Sequence, residues 1–223
     1  MLSGASTLPD TGPLPLPRPA ETETVAEPEK PADALPQESA EDFEACRAAL
    51  AAIGARFETL PALREGEACG IEHPVALGAL PGGVTVEPPA TLRCETALQL
   101  ARWLEKTVKP ALALAMPGET IAGLQQASGY VCRNRNHAET GKISEHAFGN
   151  AVDIAGFTLK SGKSIDIRPA EQDSTLEGAF QRAITEAACL HFTTVLDPGS
   201  DAAHENHLHL DVKERRGGYR YCW

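Results

Sequence analysis

The alternation of apolar and polar residues predicts helices in the first part of the chain. Residues 41–54 (EDFEACRAALAAIG) show the period of an amphipathic helix that ends at Gly54. Residues 70–92 predict two short strands around a Pro-Gly-Gly turn. From Leu92 to Met116 the apolar residues recur at helical spacing, and we expect Pro110 to kink or split this helix.

The second part of the chain predicts strands and one more helix. Residues 174–191 (STLEGAFQRAITEAACLH) have a helical period, with Ser174 as the N-cap. The mixed order of elements predicts an α+β fold with a small central antiparallel sheet flanked by helices. The predicted strands are Thr120–Ser128, Ala151–Leu159, Ser164–Ile167, Phe192–Leu196 and His207–Val212, the second and third of which form a hairpin.

Residues 1–40 differ in composition from the rest of the chain. They are rich in Pro, Glu and Ala and contain almost no large apolar residues. Such a segment cannot bury enough surface to offset its ordering entropy, so we expect a disordered linker. A Pro-rich ligand for a partner domain is the alternative interpretation. The sequence therefore predicts a linker over 1–40 and one folded domain over 41–223.

The overall charge excludes several classes of partner. The formal net charge is -11 and the isoelectric point is about 5.1. A nucleic-acid binder needs a basic surface, and so does a protein that adsorbs to an anionic membrane, so neither is expected. No window of about 18 consecutive apolar residues predicts a transmembrane segment.

The six cysteines predict disulfide bonds. Their number is even, they are widely spaced, and no CxxC motif indicates a zinc finger or a thioredoxin-like site. Six buried thiols in a cytosolic protein are the alternative. The first residues lack a signal-peptide pattern, so the protein is either cytosolic or has a targeting segment outside this sequence; the cysteines favour the second, with a periplasmic location. Pairing of sequence neighbours gives Cys46–Cys69, Cys94–Cys132 and Cys189–Cys222, one of 15 connectivities.

Two segments carry the candidate chemistry. The first, SEHAFGNAVD, places His146 and Asp153 seven positions apart, and Gly149 between them permits a tight turn. The second is HENHLHLD, which begins at His204. On a strand, its histidines at 207 and 209 and Asp211 share one face, while the intervening leucines share the other.

These residue types are the ones that a catalytic zinc ion needs. Such a site offers three ligands from His, Asp or Glu and keeps a fourth position for water, whose pKa the metal lowers. His207 lies about 6–7 Å from His209 along the strand face, close enough to flank that water and transfer its proton. His204 is a second candidate beside the metal, and Asp211 is a candidate to orient a histidine.

The first segment also resembles a known motif. The SxHxxGxAxD pattern, met by Ser144 and the four fixed positions that follow, resembles that of the zinc D-Ala-D-Ala carboxypeptidases and of the penicillin-insensitive murein endopeptidases. The resemblance implies that His146, Asp153 and His209 bind zinc.

The form of the second motif, HxxHxH, resembles the endopeptidase branch. It implies that His207 acts beside the metal and that His204 supports it. Asn206 stands where the carboxypeptidase branch has a glutamate.

From about Cys46 to Cys222 the chain resembles the extensin-like C-terminal family of proteobacteria, in phrases such as LPGGVTVEPPATLRC, SGYVCRNRNH and FTTVLDPGSDAAHENHLHLDV. This resemblance implies export, paired cysteines and a peptidase-like zinc fold. In the zinc peptidases an upstream arginine holds the substrate, a role that Arg133 or Arg135 fits; a surface arginine is the alternative for each. Ser144 is a third candidate substrate-binding residue; we expect it to orient the loop or the ligand shell and not to act as a nucleophile.

Together these features predict a periplasmic zinc peptidase that hydrolyses stem-peptide or cross-link amide bonds of peptidoglycan, with endopeptidase activity favoured. A non-catalytic peptidoglycan-binding module that retains the zinc site is the first alternative. A purely structural metal site, in which His207 closes the fourth position, is the second. The remaining histidines, His73, His137 and His191, are interpreted as structural or exposed.

Overall fold

The computed structural model describes residues 38–66, 68–201 and 203–223, without the side chains of His137 and Glu171. The predicted linker over 1–40 therefore lies outside the described residues, except for its last three. The division of the chain into a linker and a folded domain stays a prediction.

The helices lie where the apolar pattern places them. Helix α1 begins after Ser39, whose side chain accepts the N–H of Asp42, and α4 begins after Thr175, whose side chain accepts the N–H of Gly178. The predicted cap at Ser174 is thus wrong by one residue. The helices are α1 (Ala40–Ala52), α2 (Cys94–Trp103), α3 (Lys109–Ala115) and α4 (Leu176–Ala188).

Pro110 does not split the long helix. A π-helical turn over Leu104–Val108 joins α2 to α3 without a break, and Pro110 lies in the first turn of α3. The wider turn accommodates the proline ring and its missing N–H. In the described part of the chain no helix is both long and apolar enough to cross a membrane.

Nine strands of the described residues form one sheet, and two more pair with each other. The strands are β1 (Arg56–Thr59), β2 (Leu63–Glu65), β3 (Cys69–Ile71), β4 (Pro74–Leu80), β5 (Val84–Arg93), β6 (Ile121–Ser128), β7 (Ala151–Leu159), β8 (Ser164–Asp166), β9 (Thr194–Leu196), β10 (Leu208–Asp211) and β11 (Tyr221–Cys222). Their order in the sheet is β1-β4-β5-β6-β7-β10-β9-β11, with β8 on β7, while β2 pairs with β3.

The sheet is larger than predicted and mixed, so the prediction of a small antiparallel sheet is wrong, although the α+β class is right. Strands β5 and β6 pair in parallel because the whole of α2 and α3 lies between them, and a crossover of that length allows parallel pairing. Strand β11 also pairs in parallel with β9. Strand β11 and the three strands β1 to β3 were not predicted from the sequence.

One face of the sheet is packed against helices. Trp103 of α2, Phe157 of β7 and Phe180 of α4 form a buried aromatic row, with ring centroids 6.1 and 6.0 Å apart. The indole of Trp103 donates to the carbonyl of Ile184, so this large side chain is buried with its polar atom satisfied. The row ties the long helix, the sheet and α4 together.

The cysteines all pair, but mostly not with their sequence neighbours. The predicted Cys189–Cys222 bond is confirmed, while the other two predicted pairs are wrong. Because α1 packs on α2, Cys46 of α1 bonds Cys94 of α2. Strand β3 lies beside the loop after β6, so Cys69 bonds Cys132. The observed bonds are Cys46–Cys94, Cys69–Cys132 and Cys189–Cys222.

Candidate metal centre

The pairing of β7 with β10 places two of the predicted ligands side by side. In this antiparallel register Asp153 lies directly opposite His209. The residues on either side of His209, Leu208 and Leu210, belong to the hydrophobic core, so His209 projects from the other face of the sheet. The period-two pattern of the sequence therefore predicted this face correctly.

His146 reaches the same place from a short 3₁₀ turn, Glu145–Phe148, that precedes β7. The side chain of Ser144 caps this turn by accepting the N–H of His146 at 3.4 Å. Gly149 ends the turn with a φ of 65° and fits closely: a Cβ there would lie 2.4 Å from Ile71 Cδ1 and 2.8 Å from the amide nitrogen of Arg93. A residue with a side chain would strain the turn that brings His146 to Asp153.

The three side chains form a compact buried triad. His209 Nδ1 lies 2.8 Å from Asp153 Oδ1, and His146 Nε2 lies 3.2 Å from Asp153 Oδ2. The two ring nitrogens are 3.3 Å apart. One ligand atom from each residue lies within 4.8 Å of the others, so the triad could hold a metal ion.

The outer ring nitrogens of both histidines are already bonded. His146 Nδ1 donates to the carbonyl of Gly129 at 2.8 Å, and His209 Nε2 lies 3.3 Å from Asp211 Oδ2. Asp211 is held in turn by the hydroxyl of Thr194 at 2.5 Å. These bonds leave Nε2 of His146 and Nδ1 of His209 to face Asp153. Two imidazoles oriented in this way and one carboxylate form a donor set that fits zinc.

The charges of the triad favour a bound cation. Burial alone would raise the pKa of Asp153, but the hydrogen bonds from His146 and His209 outweigh burial and hold it well below its usual range. Burial would likewise lower the pKa of His209, but its bonds to Asp153 and Asp211 raise it to about 9. Without a metal, a proton on His209 therefore lies where the cation would bind.

His207 lies just before β10 and beside the triad. Its Nε2 is 3.8 Å from Asp153 Oδ2, and its Nδ1 lies 3.2 Å from the side-chain oxygen of Asn206. Burial lowers the pKa of His207, which favours the neutral ring. The side chain thus stands next to the triad without joining the three residues that could share one metal ion.

His204 completes a cluster of four imidazoles. Its ring lies 5.2 Å from that of His207 and 5.5 Å from that of His209, and its Nδ1 is 2.7 Å from Asp201 Oδ1. The sequence analysis missed Asp201, although its place three residues before His204 in an acidic loop offered a weak signal. The roles of His204 and His207 stay predictions.

The predicted substrate-binding residues lie on the loop around the triad. Arg135 points to the buried carboxylate of Glu145, at 3.5 Å, while the Arg133 guanidinium lies 3.4 Å from the carbonyl of Asn134. Ser144 is buried as the cap of the turn. Their contacts with a substrate stay predictions.

Glu145 anchors the turn that carries His146. Its carboxylate also accepts from Asn150 Nδ2 at 2.9 Å and pairs with Lys213, which follows β10. This buried set was not predicted, although Glu145 and Asn150 are part of the SEHAFGN segment.

Two of the other histidines have structural contacts. His73 stacks on Phe43, with ring centroids 4.8 Å apart, and His191 Nε2 lies 3.0 Å from the hydroxyl of Thr107. Both are consistent with the structural interpretation; the side chain of His137 lies outside the described residues.

Fold and site together define a disulfide-bonded α+β domain with a buried His-Asp-His triad that could bind a metal ion. The family model named for the extensin-like protein C-terminus matches residues 44–223, and the chain belongs to this family. No curated protein and no solved structure matches the chain significantly. Three disulfides in a domain of this size are consistent with an extracytoplasmic location.

Proposed function

We propose that this protein is a periplasmic, zinc-dependent peptidoglycan hydrolase that cleaves stem-peptide or cross-link amide bonds, as an endopeptidase in preference to a carboxypeptidase. The observation that carries the proposal is the buried triad of His146, Asp153 and His209. The hydrogen bonds of the two histidine rings orient one nitrogen of each toward the Asp153 carboxylate. The similarity of its motif to those of zinc peptidases that act on cell-wall peptides supports the substrate class.

In this proposal the triad holds zinc, which supplies Lewis-acid polarisation of the scissile carbonyl and lowers the pKa of water. His207 carries the proton. With its Nδ1–H donating to Asn206, its Nε2 keeps a free lone pair on the side of the triad, 3.8 Å from Asp153. In this role Nε2 takes a proton from the attacking water as the water oxygen bonds to the carbonyl carbon, and it passes that proton to the amine that leaves when the C–N bond breaks.

His204 supports the site from the other side. Its bond to Asp201 fixes the ring, which leaves Nε2 as the atom available to a substrate carbonyl or to His207. The pairing of an acid, a fixed imidazole and a second imidazole gives this site a base without the glutamate of the carboxypeptidase branch. The form of this motif, HxxHxH, resembles the endopeptidase branch, and that resemblance is the basis for favouring endopeptidase activity.

Digestion of purified sacculi tests the proposal, with mass analysis of the products with and without a chelator. Conversion of cross-linked dimers to monomers indicates an endopeptidase, and loss of one terminal residue indicates a carboxypeptidase. The chelator should stop either reaction. Binding to sacculi with no products after long incubation would contradict the proposal and favour a non-catalytic binding module.

Three variants separate the roles of the histidines. His146→Ala should lose both zinc and cleavage. His207→Ala should keep zinc but lose cleavage by about 10²–10⁴-fold, the usual contribution of a positioned base. His191→Ala, a matched control outside the site, should keep both. Full cleavage in His146→Ala would overturn the proposal.

A further inference from the structure

A groove runs between α4 and the loop after β9, outside the candidate metal centre. Two cavities of about 80 and 510 Å³ meet there. The larger has the volume of a small-molecule site, for which about 300–1,000 Å³ is usual. The two cavities form one continuous groove because they share five wall residues. The shared residues are Ala170, Thr185, Glu186, Asp197 and Pro198.

An exposed indole lines one end of this groove. Trp223 is 67% exposed, although its backbone is fixed. The backbone N–H of Trp223 donates to the carbonyl of Val195 at 2.9 Å, and its main-chain oxygen accepts from the backbone amide of Asp197 at 2.8 Å. A large flat ring presented to solvent from a fixed backbone is suited to stacking on a ligand.

Unpartnered polar atoms lie at the other end and along the wall. Gln181 is only 5% exposed, and its Oε1 accepts the backbone N–H of Arg168 at 3.0 Å. Its Nε2 has no partner among the described residues, and neither does the hydroxyl of Ser200, which lines the larger cavity. A buried donor left unpaired is unfavourable, so these atoms favour a ligand that brings oxygen atoms as hydrogen-bond acceptors.

The charges of the groove disfavour an anionic ligand. Arg168 pairs with Asp166 at 3.4 Å. Arg182 shares the wall with the carboxylates of Asp173 and Asp197, so the wall carries no excess of positive charge. Glu186 adds a carboxylate to the wall. A neutral ligand with hydroxyl groups and an apolar face fits the stacking ring and the unpartnered polar atoms.

We propose that this groove binds a neutral saccharide, with Trp223 stacked on a sugar ring and Gln181 bonded to a sugar oxygen. Its biological source would be the glycan strand whose peptides the metal centre cleaves, a step that rests on the proposed function. The groove adjoins that centre: the amide of Gly199, a wall residue, donates to the carbonyl of His204 at 2.8 Å. One turn thus forms the groove wall and supports His204.

Titration of the protein with the β-1,4-linked tetramer of N-acetylglucosamine tests the saccharide site directly. The chain has two tryptophans, so a ¹⁵N-labelled sample gives two indole N–H signals. The Trp223 signal should shift saturably, while that of buried Trp103, bonded to Ile184, should stay in place. A tetramer concentration of about 10 mM would largely fill a site with a Kd of about 1 mM. No shift of the Trp223 signal at that concentration would overturn the proposal.

Variants test the two ends of the groove. Trp223→Ala should weaken binding of the tetramer by about tenfold, from lost stacking and burial. Gln181→Leu should weaken it by about threefold or more, from the lost hydrogen bond. Tyr219→Ala removes an exposed aromatic ring that does not line the groove and should bind normally. Equal loss in Tyr219→Ala, or a Trp223 shift with 1,5-diaminopentane in place of the tetramer, would contradict a neutral saccharide site.

The saccharide site and the proposed peptidase can fail separately. The titration is run with chelator present, so tetramer binding does not depend on zinc or cleavage. If both proposals hold, Trp223→Ala should raise KM for sacculi but leave kcat unchanged on sugar-free stem peptides. Tetramer binding without any cleavage of sacculi would refute only the proposed function, and cleavage without tetramer binding would refute only the groove.

Discussion

Gly149→Ala should destabilise the domain and weaken zinc binding at once. The residue has a φ of 65°, and an added Cβ would meet Ile71 Cδ1 at 2.4 Å and the backbone nitrogen of Arg93 at 2.8 Å. The Gly149 carbonyl accepts from Arg93 and from the Thr96 hydroxyl, so the turn cannot easily move away. The left-handed backbone costs about 1–2 kcal/mol and the overlap about 1–3 kcal/mol, together about 2–5 kcal/mol.

Gly162→Ala is the matched control. Its φ is 87°, but a Cβ there meets nothing within 4 Å, so only the backbone cost of about 1–2 kcal/mol applies. Urea unfolding of both metal-free variants measures the stabilities, and competition with a chromophoric chelator measures zinc affinity. Gly149→Ala should be the less stable by about 1–3 kcal/mol and bind zinc more weakly, because His146 shifts. Equal stability and equal zinc affinity of the two variants would refute this account of the turn.

Three further predictions concern the surroundings of the triad. Because the pKa of His209 is raised to about 9 without metal, zinc must displace a proton from this ring. The measured zinc affinity should therefore rise with pH up to about 9, and an affinity independent of pH would contradict the role of His209 as a ligand. Asp211→Asn should lower zinc affinity by about 10–100-fold, since the carboxylate orients His209; unchanged affinity would show that Asp211 does not support the centre. Replacing Cys69 and Cys132 together with Ser opens a loop with a sequence separation of 63 and should lower the free energy of unfolding by about 4 kcal/mol, measured by chemical denaturation; a loss below about 1 kcal/mol would show that this bond constrains little.

The sequence was informative where one local pattern determines the structure. Alternation along β10 placed Leu208 and Leu210 in the core and His209 on the opposite face. The spacing of His146, Gly149 and Asp153 predicted a turn that returns two side chains to one point. Both inferences need only the periodicity of a strand and the conformational freedom of glycine.

Features that depend on contacts between distant segments were not predictable in this way. The parallel pairing of β5 with β6 depends on how the helix between them folds back, and no residue of either strand encodes that direction. The bond between Cys46 and Cys94 follows from the packing of α1 on α2, which the order of cysteines along the chain does not show. Short strands such as β1 have too few residues for a readable alternation.

Anomalous diffraction at the zinc edge from zinc-soaked crystals tests the central claim most directly. The account predicts one strong peak in contact with His146 Nε2, His209 Nδ1 and the carboxylate of Asp153, with His207 beside it and not bound. The same soak of His146→Ala crystals should give no peak at this place. Zinc bound elsewhere, or zinc with His207 as a fourth ligand, would contradict an open catalytic centre built on this triad.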